Sequence, residues 1–220
     1  DLSQSDKDLV SKLVKGGFSR REVLKLSMAT GVSLVAAEHL LTDGKAVMAA
    51  TPKKGGSVRM ASNLHGPNDQ LDPILMTSTI DYTRSRVIYN SLCQHANDLT
   101  PQPELATSFE PNANATEWTF KIREGVTFHD GKKLTADDVV KEWKKTGPME
   151  VKAVLESPNA DLPTLLGLFQ TKIVQNGSTG DGIGTGPYVT ESFQPGVKSV
   201  HSRNKNYWRE GANLDAVEIT

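Results

Sequence analysis

Three observations predict an α/β or α+β fold for this chain. Trp118, Phe120 and Ile122 alternate with polar residues, which is the period of a strand with one buried face. Thr135 is followed by Asp137 and Asp138 and then by two valines, which is the pattern of a capped helix start. Gly and Pro separate these segments from further short apolar runs. A region that mixes short strands and helices in this way is α/β or α+β.

Ahead of Trp118, the chain predicts one strand, one loop and one helix. The strand covers residues 57–61, and the polar loop at 62–69 contains a Gly-Pro pair. The helix covers 81–93, because its aliphatic residues fall on one face. Cys93 is the single cysteine of the chain and is expected there as a small buried group, since one cysteine cannot form an internal disulfide.

On the C-terminal side of Ile122, the alternation of apolar and polar residues resumes at Val126 and Phe128, and Asp130-Gly131 predicts a turn. The helix that starts at Thr135 is expected to end at Gly147-Pro148. The remaining predicted elements are a strand at 151–155, a short helix at 164–169, paired strands at 188–193 and 199–202, and a last strand within 214–220.

The first 50 residues have the three parts of an export signal. A motif of the twin-arginine type is followed by an apolar run of small residues at 26–37 and by small residues suited to signal peptidase at 46–50. The run is too short for a transmembrane span. The alternative is an ordinary amphipathic helix that contains Arg-Arg by chance. The residues of the motif are Ser19, Arg20, Arg21, Leu24 and Lys25.

The charge balance excludes nucleic acid as the main partner. The chain has 25 basic and 26 acidic residues, and no basic stripe follows the leader. A hydrophobic fraction of 37% is typical of a soluble globular chain.

No pattern predicts an enzyme, a cofactor or a metal centre. The run 182–186 has three glycines but precedes Pro187 and a β-like stretch, whereas a nucleotide loop needs a helix there. His129-Asp130 flanks a turn, and His65 is the candidate for a single nickel-type ligand. The acidic pair after Thr135 serves a helix start better than acid–base chemistry.

Six segments of the chain resemble, in order, motifs of the extracellular solute-binding proteins of the peptide/nickel type, family 5. These proteins are the ligand-capturing components of ABC importers. The segments are K-G-G-S-V-R-M-A at 54–61, L-D-P at 71–73, P-E-L-A-T-S-F-E at 103–110, the W-T-F-K-I-R-E-G block from 118 to 140, G-T-G-P-Y at 184–188 and R-N-K-N-Y-W at 203–208.

The resemblance implies a two-lobed fold of the periplasmic binding protein type II. Residues 1–50 would then be the leader, and 51–220 would be part of the first lobe, with the second lobe outside this sequence. It further implies a periplasmic protein that captures di- or oligopeptides and delivers them to a membrane permease after export by the twin-arginine translocase.

The loop after the first predicted strand is the candidate ligand contact. Binding clefts in open α/β sheets lie beyond the carboxyl ends of strands, and in peptide-binding members the equivalent loop binds the ligand backbone. A plain solvated loop is the alternative. The candidate residues are Ser62, Asn63, Leu64, His65 and Gly66.

Three other functions stay open. The solute could be nickel or a metal chelate, an oligosaccharide or an opine-like compound, all of which the family covers. The chain could be the leader and first domain of a twin-arginine-exported redox enzyme. It could also be a non-transporting remnant, since the segment after Val140 is shorter than the family's.

Overall fold

The computed structural model describes residues 54–139, 143–178 and 180–220. The predicted leader and its twin-arginine motif lie outside these ranges. No helix in the described ranges combines the length and apolar character that a bilayer crossing requires. The helices are α1 (Thr79–Ile88), a 3₁₀ helix (Ala136–Asp138) and α2 (Leu162–Leu165). The strands are β1 (Ser57–Met60), β2 (Cys93–His95), β3 (Pro101–Pro103), β4 (Ala106–Pro111), β5 (Glu117–Ile122), β6 (Lys144–Gly147), β7 (Glu150–Val154), β8 (Tyr188–Gln194), β9 (Lys198–Arg203) and β10 (Ala216–Ile219).

A mixed four-stranded sheet brings together the two ends of the described region. Its strand order is β1-β10-β9-β8. β1 runs parallel to β10, with Val58 opposite Val217, and the other pairs are antiparallel. The carboxyl ends of β1 and β10 therefore lie at the same edge of the sheet. The predicted first strand, the paired strands β8 and β9 and the last strand are confirmed.

An antiparallel sheet of order β4-β5-β7-β6 contains the larger hydrophobic core. Trp118, Phe120 and Ile122 of β5 are buried, as the alternation predicted. Val151 and Ala153 of β7 are buried beside them. Aromatic and β-branched side chains of neighbouring strands that share one face stabilise the pairing, so this sheet follows directly from the period-two pattern.

The expected strand through Val126 and Phe128 does not form as a regular element. Both side chains are buried, but the segment is a short hairpin with a single bridge, Thr127 to Lys133. The predicted turn is confirmed: the Gly131 N–H donates to the Phe128 carbonyl at 3.0 Å. Two backbone bonds cross the hairpin, from the Phe128 N–H to the Lys132 carbonyl at 2.8 Å and from the Leu134 N–H to the Val126 carbonyl at 2.9 Å.

The helix predicted from Thr135 to Gly147 is wrong in its length. Its start is a 3₁₀ helix, in which the Asp138 carboxylate accepts hydrogen bonds from the Thr135 N–H at 2.8 Å and from its hydroxyl at 3.0 Å. The stretch before Gly147 is β6, which pairs with β7. Gly147-Pro148 therefore connects two strands, and the neighbouring strand β7 determines the conformation that the local sequence leaves open.

Helix α1 ends five residues before the predicted end. The Gly186 N–H donates to the Ile88 carbonyl at 2.8 Å, and a side chain on Gly186 would come within 2.5 Å of the Ile88 backbone. The segment around Gly186 therefore occupies the Ile88 carbonyl, which would accept a helical hydrogen bond if α1 were longer. Cys93 is buried, as predicted, but it begins β2 instead of ending a helix.

The short helix predicted at 164–169 is shifted toward the N-terminus. α2 begins at Leu162 and ends at Leu165. Pro163 in its first turn fits the helix start, where the missing N–H is of no consequence. Turns follow, in which Gly167 lies against the His95 ring, and a side chain there would meet that ring at 2.9 Å.

Candidate ligand-binding edge

The predicted contact loop, residues 62–66, leaves the sheet at the shared carboxyl edge of β1 and β10. The Ser62 N–H donates to the Thr220 carbonyl at 2.8 Å, and the Thr220 N–H donates to the Met60 carbonyl at 2.8 Å. These two bonds fix the direction in which the loop leaves the sheet. The loop therefore occupies the position that the fold-level argument assigned to it.

The middle of the loop is exposed. Asn63, Leu64 and His65 are exposed residues, and Leu64 keeps 56% of its surface. Within the described part of the chain, no partner accepts a hydrogen bond from the backbone N–H of any of these three residues. Unpaired main-chain donors at the edge of a sheet can pair with the backbone of an extended ligand.

The far end of the loop is attached to the β8–β9 turn. The His65 Nδ1 lies 3.1 Å from the Gly196 carbonyl oxygen. Asp69 accepts from the Gly66 N–H at 2.9 Å and from the Gly196 N–H at 3.2 Å. Gly196 has a φ of 70° and approaches the Gly66 backbone so closely that a Cβ would lie 3.0 Å from it. The turn therefore requires glycine here.

Asp69 is in turn held by a buried arginine. Arg84 Nη1 lies 3.0 Å from Asp69 Oδ2 and 3.0 Å from Asp81 Oδ1, and Arg84 Nε donates to the Ser199 hydroxyl at 3.1 Å. The three charged side chains are almost fully buried. We call Arg84, Asp69 and Asp81 the ion cluster. It connects α1, β9 and the base of the contact loop.

The environment of Asp69 favours its ionised form. Burial raises the pKa of Asp69, but the hydrogen bonds from Gly66, Arg84 and Gly196 and the charge of Arg84 outweigh it, so the pKa lies below its usual value. His201 lies beside the cluster, and its Nε2 is 2.9 Å from the Ser199 hydroxyl. Burial, reinforced by the charge of Arg84, lowers the pKa of His201 to about 4, so this ring is neutral at pH 7.

The other histidine, cysteine and glycine candidates have structural positions. His129 Nε2 lies 3.1 Å from the Gly186 carbonyl, and the Gly184 N–H donates to its Nδ1 at 3.3 Å. The glycine run at 182–186 thus packs against α1 and forms no phosphate loop. Burial raises the pKa of the Cys93 thiol to about 12, which leaves little thiolate. No group of three or more potential metal ligands is assembled among the described residues.

The ion cluster and Gly196 were not identified from the sequence. Asp81 and Arg84 are spaced i,i+3 in a predicted helix, a spacing that allows an ion pair. Such pairs usually lie on a solvated surface, so the spacing alone does not indicate burial. The link from Asp69 to Gly196 joins residues 127 positions apart and has no local signal.

The sequence profile of the bacterial extracellular solute-binding proteins, family 5 (middle), matches residues 100–148 and 141–220. The chain belongs to this family. The fold agrees: the chain superimposes on AppA of Bacillus subtilis in complex with a nonapeptide with a TM-score of 0.68, at 22% identity, over 77% of this chain and 40% of AppA. A second structure, AgaA of A. tumefaciens R10 with agropinic acid, gives a TM-score of 0.66 at 24% identity over 74% of this chain and 39% of AgaA.

Among curated proteins, the chain is similar to a probable peptide ABC transporter periplasmic-binding protein, y4tO of Sinorhizobium fredii. The two are 26% identical over 86% of this chain and 40% of y4tO. The chain therefore spans less than half the length of these relatives. The predicted fold class, a periplasmic binding protein-like α/β fold of which part is present, is confirmed.

Replacement of Arg84 by Met is expected to lower the free energy of unfolding by about 3–5 kcal/mol, because it leaves Asp69 and Asp81 buried without their cation. Arg59→Met is the matched control. Arg59 pairs with Glu218 at 2.6 Å but its side chain is 74% exposed, so we expect a loss of about 0–1 kcal/mol. Urea unfolding of the intact protein measures both. Equal small losses would contradict a structural role for the ion cluster.

Proposed function

We propose that this chain is part of the periplasmic substrate-binding component of an ABC importer and that its solute is a di- or oligopeptide. Residues 51–220 would form part of the first lobe, and the solute would be captured between this lobe and a second one by hinge closure. The loaded protein would then dock on a membrane permease. The protein has no catalytic role in this proposal.

The observation that supports the proposal best is the row of backbone N–H groups at the exposed residues Asn63, Leu64 and His65, for which the described residues provide no acceptor. Main-chain hydrogen bonds recognise any peptide, whatever its side chains, and so allow broad specificity. The ion cluster holds the β8–β9 turn and the base of the loop, so the row is fixed before ligand arrives. Preorganisation of this kind reduces the entropy that binding costs.

The relatives support a peptide before other solutes. y4tO is described as a probable peptide-binding protein, and AppA was solved with a nonapeptide. AgaA, with agropinic acid, keeps an opine-like solute as the alternative. A protein described as the nickel-binding periplasmic protein of Escherichia coli is 24% identical over 64% of this chain and 33% of that protein, and His65 would be the residue for a metal chelate.

Export would follow the twin-arginine route. The motif residues Arg20 and Arg21 precede an apolar run and a small-residue stretch, which is the order of a cleaved signal. Residues 1–50 would then be removed, and the translocase would be a transient partner. Delivery to the periplasm agrees with the periplasmic location named for y4tO.

Native mass spectrometry of the protein purified from the cell envelope of its source tests the function directly. We expect a mass well above the 23.9 kDa of this chain, with a peptide lost on denaturation. A bound opine or metal chelate would replace the peptide as solute. A mass that matches this chain after removal of the leader, with nothing bound, would refute the importer function and favour a non-transporting remnant.

Leu64→Pro tests the contact loop in the intact protein. Proline removes the Leu64 N–H, and one hydrogen bond is worth about 0.5–1.5 kcal/mol, so we expect peptide affinity to fall by up to about tenfold. Leu64→Ala shortens the same side chain but keeps the N–H, and we expect little change. Calorimetric titration with the identified peptide measures both variants. Equal affinities of the two variants, with thermal unfolding unchanged, would remove the loop from the binding site.

The double substitution Arg20→Lys with Arg21→Lys tests the export route. We expect the processed protein to disappear from the envelope fraction and the precursor to accumulate in the cytoplasm, because the twin-arginine pair is the recognition element of the signal. Lys12→Gln, which changes another leader cation outside the motif, is the control and is expected to be exported normally. Normal processing of the double variant would assign export to another route.

A further inference from the structure

We propose that a cavity beside β2 binds a small carboxylate-bearing molecule through Lys172, Arg86 and Tyr207. The cavity has a volume of about 200 Å³. None of the residues 62–66 lines it, so this site is additional to the proposed solute contact. The residues that line it and carry the argument are Arg86, Asn90, Glu104, Lys172, Tyr207 and Arg209.

Cations outnumber carboxylates in this cavity. Arg86, Lys172 and Arg209 face one carboxylate, that of Glu104. Loss of hydration lowers the pKa of Lys172; Glu104 opposes this shift, while Arg86 and Arg209 add to it. A bound anion would relieve the repulsion among the three cations and favour the charged form of the lysine.

Glu104 is already engaged by other groups. Its Oε1 accepts from the Asn90 amide at 2.8 Å and lies 3.5 Å from Arg209 Nη2, and its Oε2 accepts from the Ser91 N–H at 2.7 Å. By contrast, neither Lys172 nor Arg86 makes a side-chain hydrogen bond or ion pair with any residue that the structure describes. These two cations are therefore the groups available to a ligand.

Tyr207 supplies a neutral donor to the same space. Its hydroxyl oxygen accepts from the Asn90 amide at 3.3 Å and from Arg209 Nε at 3.0 Å. Because the oxygen acts as acceptor in both bonds, the phenolic hydrogen is left to donate to a third group. Two cations and one hydroxyl donor around a cavity suit the oxygens of a carboxylate.

The size of the cavity suits a small anion. A cavity of about 150 Å³ can hold a benzene molecule, so a volume of about 200 Å³ has room for a molecule the size of acetate or a small amino acid. Acetate is a suitable probe, because Lys172, Arg86 and the Tyr207 hydroxyl can share its two oxygens.

Isothermal titration of the intact protein with sodium acetate tests the site, with sodium sulfate and sodium chloride as comparison anions. We expect saturable acetate binding that becomes at least about tenfold weaker in Lys172→Met, since a lost charged hydrogen bond is worth about 1.5–3 kcal/mol and 1.4 kcal/mol is a factor of ten. Lys133→Met, at an exposed lysine of the same charge, is the control and should bind acetate like the unchanged protein.

Absence of saturable acetate binding in the unchanged protein would overturn the proposal, as would equal affinities of Lys172→Met and Lys133→Met. Tighter binding of sulfate than of acetate would overturn the assignment to a carboxylate. Arg86→Gln gives a second test if Lys172→Met does not fold. Arg86 is exposed, so its replacement should leave the fold intact and weaken acetate binding severalfold, and an unchanged affinity would count against the site.

Discussion

The contact of Arg84 with Asp69 and Asp81 is the interaction on which the candidate ligand-binding edge depends. A guanidinium removed from water is unfavourable unless carboxylates surround it closely, and here two lie at 3.0 Å. The arginine is not fully satisfied, because its Nη2 is buried without a hydrogen-bond partner among the described residues. If either carboxylate moved away, the buried guanidinium would lose part of its counter-charge, and Asp69 also holds the Gly66 and Gly196 backbones.

The parallel pairing of β1 and β10 is the second constraint. It joins strands about 160 residues apart in the sequence and places their carboxyl ends together. Antiparallel hairpins form from local sequence, whereas a parallel pair needs a long crossover that must pack before the pair is stable. Everything between the two strands, including α1 and the antiparallel sheet, is that crossover. The contact loop lies at a shared strand edge only because β1 pairs with β10.

The two regions of interest differ in how they satisfy charge. In the ion cluster, one cation faces two carboxylates, each 3.0 Å from it. In the cavity beside β2, three cations face one carboxylate, and Asn90 and the Ser91 N–H hold that carboxylate. The ion cluster holds parts of the fold together. The cavity has the excess of positive charge expected of a site that binds an anion. The first conclusion follows from the rule that a buried charge requires a partner, and the second follows from the excess of positive charge around the cavity.

The sequence alone determined the strands whose burial has a period of two. Trp118, Phe120 and Ile122 alternate so regularly that only one face of β5 can be buried, and the β8–β9 hairpin follows from its Pro195-Gly196 turn in the same way. The contact loop was also placed correctly after the first strand, because the carboxyl end of a strand is a local feature. Its role in binding stays a prediction.

Only the tertiary structure decided where α1 ends, that β6 is a strand, and which charged groups are buried. The α1 terminus depends on Gly186, which is nearly 100 residues away, and the conformation of β6 depends on its partner β7. Arg84 has the spacing of a surface ion pair, and its burial follows from the approach of β9. Local periodicity shows which face of an element is apolar, but it does not show which distant segment covers that face. The contact with that segment decides where the element ends, which conformation it takes and which of its charges are buried.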